Sequence, residues 1–244
     1  MEAFLEQMVH GPRIIAVTGH FGSGKTEFCV SLAFALARER AASDPLSKLT
    51  DERLAVADLD IENPFFRSRE RQDALEAAGV KVYSDPFNGR NGSELQVISA
   101  AVRAPLEDGG CRVLLDCGGD ASGAMILNQF KKYFVQPYRL LCVVNPYRPG
   151  SDTVEKAVEH IRSIEQTTGL NVTGLIANGH LIRQTALDEV LRGWEFTAGV
   201  SAKTGIPALC ACCMESLAPE VGGRGFDVFP IGMHMRDSYL DKPI

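Results

Sequence analysis

Short apolar, β-branched runs recur along the chain, separated by stretches whose apolar positions fall three or four apart. Runs of the first kind cover Ile14–Thr18, Leu54–Asp58, Val80–Tyr83, Arg112–Leu115, Leu140–Asn145, Val172–Asn178 and Pro207–Ala211. Most are apolar at consecutive positions, the pattern of strands covered on both faces. The stretches between them predict helices. Residues 26–39 are apolar almost all round (Phe28, Cys29, Leu32, Ala33, Leu36), so that helix should be largely buried. Ser93 with Gln96 makes a capping box, and Leu95, Ile98 and Val102 then share a face until Pro105 ends the helix. Val154, Val158, Ile161 and Ile164 form a stripe on a helix that begins near Ser151 and stops at Gly169. Leu187, Val190, Leu191 and Trp194 form another, with Thr185 as its N-cap.

Strands alternating with helices predict an α/β fold: a doubly wound, mainly parallel sheet with helices on both faces. The expected organisation is one domain over 1–244, with a core of about 13–210 and a C-terminal extension, 211–244. From "GGRGFDVFPIG" onward the pattern is weakest and fits an edge strand or a surface segment equally. In such sheets ligands bind at the carboxyl ends of the strands, so the residues there carry most weight.

Composition narrows the classes. The chain has 244 residues, 45% hydrophobic and 23% charged, ordinary for a globular protein. Its formal net charge of -6 argues against a protein held to nucleic acid by bulk charge. The N-terminus "MEAFLEQMVHG" lacks the basic start of a secretory signal, and no apolar run approaches a membrane span. Seven cysteines spread through apolar segments then read as reduced thiols of a cytoplasmic protein rather than a disulfide framework.

The chemistry starts at "TGHFGSGKTEF", residues 18 to 28, where Gly19, four residues and Gly24-Lys25-Thr26 form a phosphate-binding loop. It follows the strand "RIIAV" and opens the long apolar helix, the context such a loop requires. Gly22, Ser23, Gly24, Lys25, Thr26 and Glu27 are the expected binding set. Inward N–H groups and the positive helix end would hold phosphate, Lys25 would reach the β- and γ-phosphates, and the Thr26 hydroxyl would hold Mg²⁺. Two other predicted strands end in carboxylates. "AVADLDIENPFFRSRE" supplies Asp58 and Asp60, and "CRVLLDCGGD" supplies Asp116, with Gly119 three residues on. Asp116 suits an outer-sphere Mg²⁺ ligand, and the Gly119 N–H a sensor of the γ-phosphate. Asp120 suits a cap for a helix starting near Ala121.

Together these motifs resemble the SIMIBI class of P-loop NTPases, in the MinD/ParA/CobQ-like group. That group joins the loop to a D-x-D after the next core strand and a D-x-x-G after a later one. "TGHFGSGKTE", "DLDIENPFFRSRE", "DCGGDASGA", "NPYRPGSDT" and "GLIANGHL" resemble a bacterial ATP-binding branch of it over about residues 13–210. The resemblance implies that Asp58 lies near Mg²⁺, that Asp60 orients the attacking water and that Asn178 contacts the purine. It also implies that 211–215 closes over the base. One position departs. MinD and ParA proteins carry a lysine directly after the first glycine, which reaches across a dimer to the partner's nucleotide, and here that residue is His20. Either His20 partly replaces the lysine or it only shapes the loop, and a homodimer stays open.

ATP is the expected nucleotide. "VSAKTGIP" at 200–207 contains a guanine-contact tripeptide, but at the end of a predicted helix rather than after a strand, and no Asn/Thr-Lys-x-Asp is present. "ALCACCMES" places Cys210 and Cys212 on one face of a strand and Cys213 on the other, with "MHM" at 233–235. Those soft ligands offer a metallocentre-assembly ATPase as an alternative. Arg67 and Arg69 are candidates for phosphate or partner contact, His180 and Arg183 for the mouth of the site, and loop 84–93 for a second substrate or partner. The readings are thus a slow Mg-dependent ATPase switch with an unnamed protein partner, a kinase- or synthetase-type enzyme with a small-molecule acceptor, or an ATP sensor that never hydrolyses.

Overall fold

The computed structural model describes residues 2–43, 52–60, 68–84, 94–135 and 137–235, with backbone alone for Glu2 and for 94–100. Sixteen elements alternate along it: α1 (Glu2–Val9), β1 (Ile14–Thr18), α2 (Lys25–Ala42), β2 (Arg53–Leu59), α3 (Gln72–Ala77), β3 (Val80–Tyr83), α4 (Glu94–Glu107), β4 (Cys111–Cys117), α5 (Ala121–Ala124), β5 (Arg139–Val144), α6 (Val154–Thr168), β6 (Gly174–Ala177), α7 (Leu187–Thr204), β7 (Ala208–Met214), α8 (Ala218–Val221) and β8 (Val228–Ile231). The strands form one sheet in the order β3-β2-β4-β1-β5-β6-β7-β8, and every pairing is parallel. β1 lies inside, between β4 and β5, so the loop after it opens beside the ends of both.

Alternate residues of each strand feed two cores. Ile15, Val17 and Val143 pack with Phe28 and Leu32 of α2 and with Phe4 and Met8 of α1. Ile14, Ala16 and Cys142 pack with Val102 of α4, Val158 of α6 and Val200 of α7. This is why the strands are apolar at consecutive positions. α1 was not signalled by the pattern. It holds because Phe4 inserts between Phe28 and Phe229, with ring centroids 6.2 and 5.3 Å away. The buried Arg112 of β4 completes the end of α1 by donating to the carbonyls of Met8 and Val9, both at 2.8 Å. No helix among the described residues is long and apolar enough to cross a membrane.

Several boundaries differ from the pattern for local reasons. α4 passes Pro105, because a proline in the last turn removes one bond only, and Arg13 takes up the carbonyls of Pro105 and Leu106. Ser93 and the side chain of Gln96 lie outside the described residues. α6 starts at Val154, since Thr153 is the cap and the Ser151 hydroxyl donates to Asn145 O instead. Thr185 does not cap α7. Its hydroxyl donates to Ile182 O at 2.7 Å, while Glu189 accepts from the Ala186 N–H. The sheet continues past residue 210: β7 runs to Met214, and β8 pairs with it from Val228 to Ile231 as the edge strand. Pro230 is tolerated there because one side of an edge strand has no ladder to complete.

Candidate nucleotide site

The turn from β1 into α2 carries Gly24 as the helix cap at φ 88°, left-handed backbone that a side chain resists. A Cβ there would lie 2.3 Å from Asn178 Nδ2. That amide crosses from the end of β6 and donates to Ser23 O at 2.7 Å, pinning the loop to the sheet. Asn178 Oδ1 has no hydrogen-bond partner among the described residues. Gly119 packs on the same loop. A Cβ on it would come within 2.9 Å of Gly19 O and 3.0 Å of Phe21 N, so only glycine lets the end of β4 approach so closely. Asp120 caps α5, accepting from Gly123 N at 2.7 Å.

Beneath the loop, the ends of β2 and β4 bring the carboxylates together. Asp58 and Asp116 are cross-strand partners on adjacent parallel strands. Lys25 Nζ lies 3.1 Å from Asp60 Oδ2, with both side chains only 5% exposed. Thr26 Oγ1 donates to Asp116 Oδ1 at 3.4 Å, and the Asp60 N–H donates to Asp58 Oδ1 at 3.2 Å. Burial, reinforced by the charge of Asp58, pushes the Asp116 carboxyl up to about 7. Arg69 Nε stands 4.0 Å from Asp58 Oδ2. Arg67 and most of loop 84–93 fall outside the described residues. Thus Lys25, Thr26, Asp58, Asp60 and Asp116, from three chain segments, meet in one buried cluster.

On its other side the loop borders a cavity of about 310 Å³, lined among others by Phe21, Arg148, Asn178, His180 and Met235. That volume is within the range of small-molecule sites. His180 Nδ1 accepts from the Ile182 N–H at 2.8 Å, and burial pushes its pKa down to about 4, so the ring is neutral with its proton on Nε2. Ile182 holds φ 58°, strain for a β-branched residue, at the cavity wall. Glu27 lines the same cavity, and its carboxylate is engaged by the backbone near the end of the described chain. It accepts the N–H groups of His234 and Met235, both at 2.8 Å, and straps the segment after β8 across the start of α2. Met233 and Met235 of that segment reach the cavity, whereas Glu215 borders a different one.

His20 turns from the cavity. Its ring lies edge-on to His160, centroids 5.2 Å apart, and against Gly150. The soft ligands do not converge either. Cys210 and Cys212 lie in the core under α2, Cys213 lies in the cluster on the opposite face, and the His234 ring packs on Phe34. All seven cysteines are free and buried, and burial raises the Cys210 and Cys213 thiols, which disfavours thiolate. Among the described residues no three His, Cys, Asp or Glu side chains are grouped to hold a metal ion. Arg148 and Ile182 were missed as cavity residues. "NPYRPG" lacks the aspartate of a base-reading motif, and only the pairing of β5 with β1 brings it near the loop.

No family profile matches the chain, and no curated protein matches it. Solved structures do. The chloroplast FtsY of Physcomitrella patens superposes with a TM-score of 0.50 at 18% identity over 85% of this chain and 64% of that one. The cell division protein FtsY of Thermotoga maritima gives 0.50 at 20% identity over 85% and 66%. The signal recognition particle receptor FtsY of Elizabethkingia anophelis, in complex with GDP, gives 0.51 at 17% identity over 85% and 62%. The chain therefore spans slightly less than two thirds of each of these neighbours. The likeness shows an α/β fold of the P-loop NTPase kind.

Proposed function

We propose that the chain is a Mg²⁺-dependent ATP-binding protein, a slow ATPase that acts as a nucleotide switch for a protein partner. The observation that carries this reading is the buried meeting of Lys25 and Thr26 with Asp58, Asp60 and Asp116 under a glycine loop at a helix start. In this reading Lys25 exchanges Asp60 for the β- and γ-phosphates, and the N–H groups from Gly22 to Glu27 hold the phosphate chain. Released Asp60 orients the water, and the Gly119 N–H, already against the loop, reports the γ-phosphate to the segment after β4.

Mg²⁺ fits the residues present. Asp116 Oδ2 is buried without a hydrogen-bond partner among the described residues, and burial together with the charge of Asp58 raises its carboxyl, a cost that a nearby cation would relieve. Thr26 would hold the ion, with Asp58 and Asp116 behind it, and bound Mg²⁺ would neutralise phosphate charge. A placement in the MinD/ParA/CobQ-like group rests on the D-x-D and D-x-x-G segments. The packing of His20 on Gly150 and His160 supports a loop-shaping role for it rather than a cross-dimer one.

ATP is favoured because Ser201-Ala202-Lys203 sits in the last turn of α7. That helix returns the chain to the amino end of β7, whereas the loop follows the carboxyl end of β1 in the same parallel sheet, and Lys203 pairs with Glu155. The GDP complex of the Elizabethkingia anophelis neighbour supports guanine as the second reading. Calorimetric titration with Mg·ATP and Mg·GTP tests both. Tighter ATP binding, lost in Lys25→Ala, is expected. Tighter GTP binding replaces the base assignment, and binding unchanged in Lys25→Ala overturns the site.

A further inference from the structure

We propose that Arg148 contacts the phosphate chain of the bound nucleotide within the same chain, supplying the second positive charge that His20 does not. Arg148 Nε donates to Gly22 O at 2.7 Å, so the guanidinium lies on the rim of the loop. It lines the cavity together with Gly22, Gly24, Lys25 and Thr26. A guanidinium has five N–H donors in one plane, and the bond to Gly22 uses one of them. No carboxylate pairs with Arg148 among the described residues. Its terminal nitrogens therefore sit beside a phosphate loop with their charge unneutralised, the arrangement in which an arginine grips phosphate bidentately.

The turn that carries Arg148 is held ready for this. Asn145 Oδ1 accepts from the Tyr147 N–H at 3.0 Å, and Asn145 Nδ2 donates to His180 O at 3.2 Å. The Ser151 hydroxyl donates to Asn145 O at 2.9 Å, and the Ser151 N–H to Arg148 O at 3.1 Å. On the far side of the turn, Gly150 at φ 89° leaves room for the His20 ring, and a Cβ there would lie 2.6 Å from His20 Nε2. The two sides of the turn thus lock onto the loop at Gly22 and His20, and the arginine loses little freedom on meeting its ligand. His20 serves as the clamp, and Arg148 brings the charge.

This inference rests on the proposed nucleotide reading, and the experiment separates the two. Calorimetric titrations of wild type, Arg148→Ala and Arg148→Lys with Mg·ATP and Mg·ADP are run beside melting curves of the ligand-free proteins and turnover assays. Arg148→Ala is expected to bind ATP and ADP roughly tenfold or more weakly, the size of one charge-assisted contact. Its ligand-free melting temperature should fall no further than loss of the one hydrogen bond to Gly22 O explains. Arg148→Lys should recover part of the affinity, and free guanidinium ion should raise turnover of Arg148→Ala but not of the wild type. Wild-type affinity in Arg148→Ala overturns the proposal while leaving the nucleotide reading intact. So does a loss accompanied by a larger fall in melting temperature that neither lysine nor guanidinium repairs, since the arginine would then only brace the loop. Failure of the wild type to bind any nucleotide removes the underlying reading and this one with it.

Discussion

Replacing Asp116 by asparagine tests the electrostatics of the site directly. Asp116 is fully buried, next to Asp58, and its carboxyl is raised from 3.8 to about 7. A raised carboxyl means the folded protein holds a proton that the unfolded chain releases. Stability from this group is therefore intact below pH 4, falls as pH rises from about 4 to about 7, and stays low above. The gap of roughly three units corresponds to a loss of at most about 4 kcal/mol at pH 8. Asparagine has nearly the same shape, keeps an oxygen for the Thr26 hydroxyl, and carries no charge to bury. Urea unfolding of wild type and Asp116→Asn at pH 4 and pH 8, without ligand, reads the effect. The variant should match the wild type at pH 4 and exceed it by up to about 4 kcal/mol at pH 8. Subtracting one protein from the other cancels the titrating groups that do not interact with Asp116, and leaves its coupling to Asp58, Lys25 and Asp60 in the difference. The same variant should gain little stability from Mg·ATP, which should stabilise the wild type by mass action. A stability difference that does not grow between pH 4 and pH 8 would refute the account of Asp116 as a buried, repelled carboxyl.

Two further substitutions probe the scaffold of the loop. Gly24→Ala forces a Cβ into left-handed backbone and onto the Asn178 amide, so it should lose about 2–4 kcal/mol and nucleotide binding together. A variant within about 0.5 kcal/mol of the wild type by urea unfolding would mean that the loop adapts. Glu27→Gln sets an amide donor against the backbone N–H of His234 or Met235 and should cost about 1–3 kcal/mol. Amide hydrogen exchange at those two residues should quicken, and nucleotide affinity should fall because Met235 lines the cavity. Unchanged exchange would show that the strap is held elsewhere.

The cluster explains why one site contains both Lys25 and three aspartates. Each carboxylate at a strand end raises the cost of burying the next, and Asp116 shows that cost in its raised carboxyl. Lys25 already engages Asp60, and Arg69 approaches Asp58. In the proposed reading a Mg-nucleotide would bring both a divalent cation for Asp58 and Asp116 and phosphates for Lys25. Its binding would then rearrange partners in the segments after β2 and β4 at once, which is the coupling a switch needs.

What the sequence determined by itself was local. Consecutive apolar positions marked seven of the eight strands, with Ile14–Thr18 and Val80–Tyr83 at their observed limits. Glycines at left-handed backbone marked the ends of α6 and α7 at Gly169 and Gly205. The glycine loop, Lys25, Thr26 and the strand-end aspartates were legible because each depends on its own few neighbours in the chain. Tertiary structure decided the partners. Asn178 meets Ser23 across 155 positions, Arg148 meets Gly22 across 126, and Glu27 meets His234 across 207. Such pairs follow from strand order, which places β5 and β6 beyond β1 on one side, with β4 and then β2 on the other. Periodicity carries no record of that order. The short α1 was likewise hidden, and β8 stayed open between edge strand and surface segment, since neither has a strong pattern of its own. Each exists because Phe4 and Phe229 find one another and Phe28 in a core that only the folded sheet assembles.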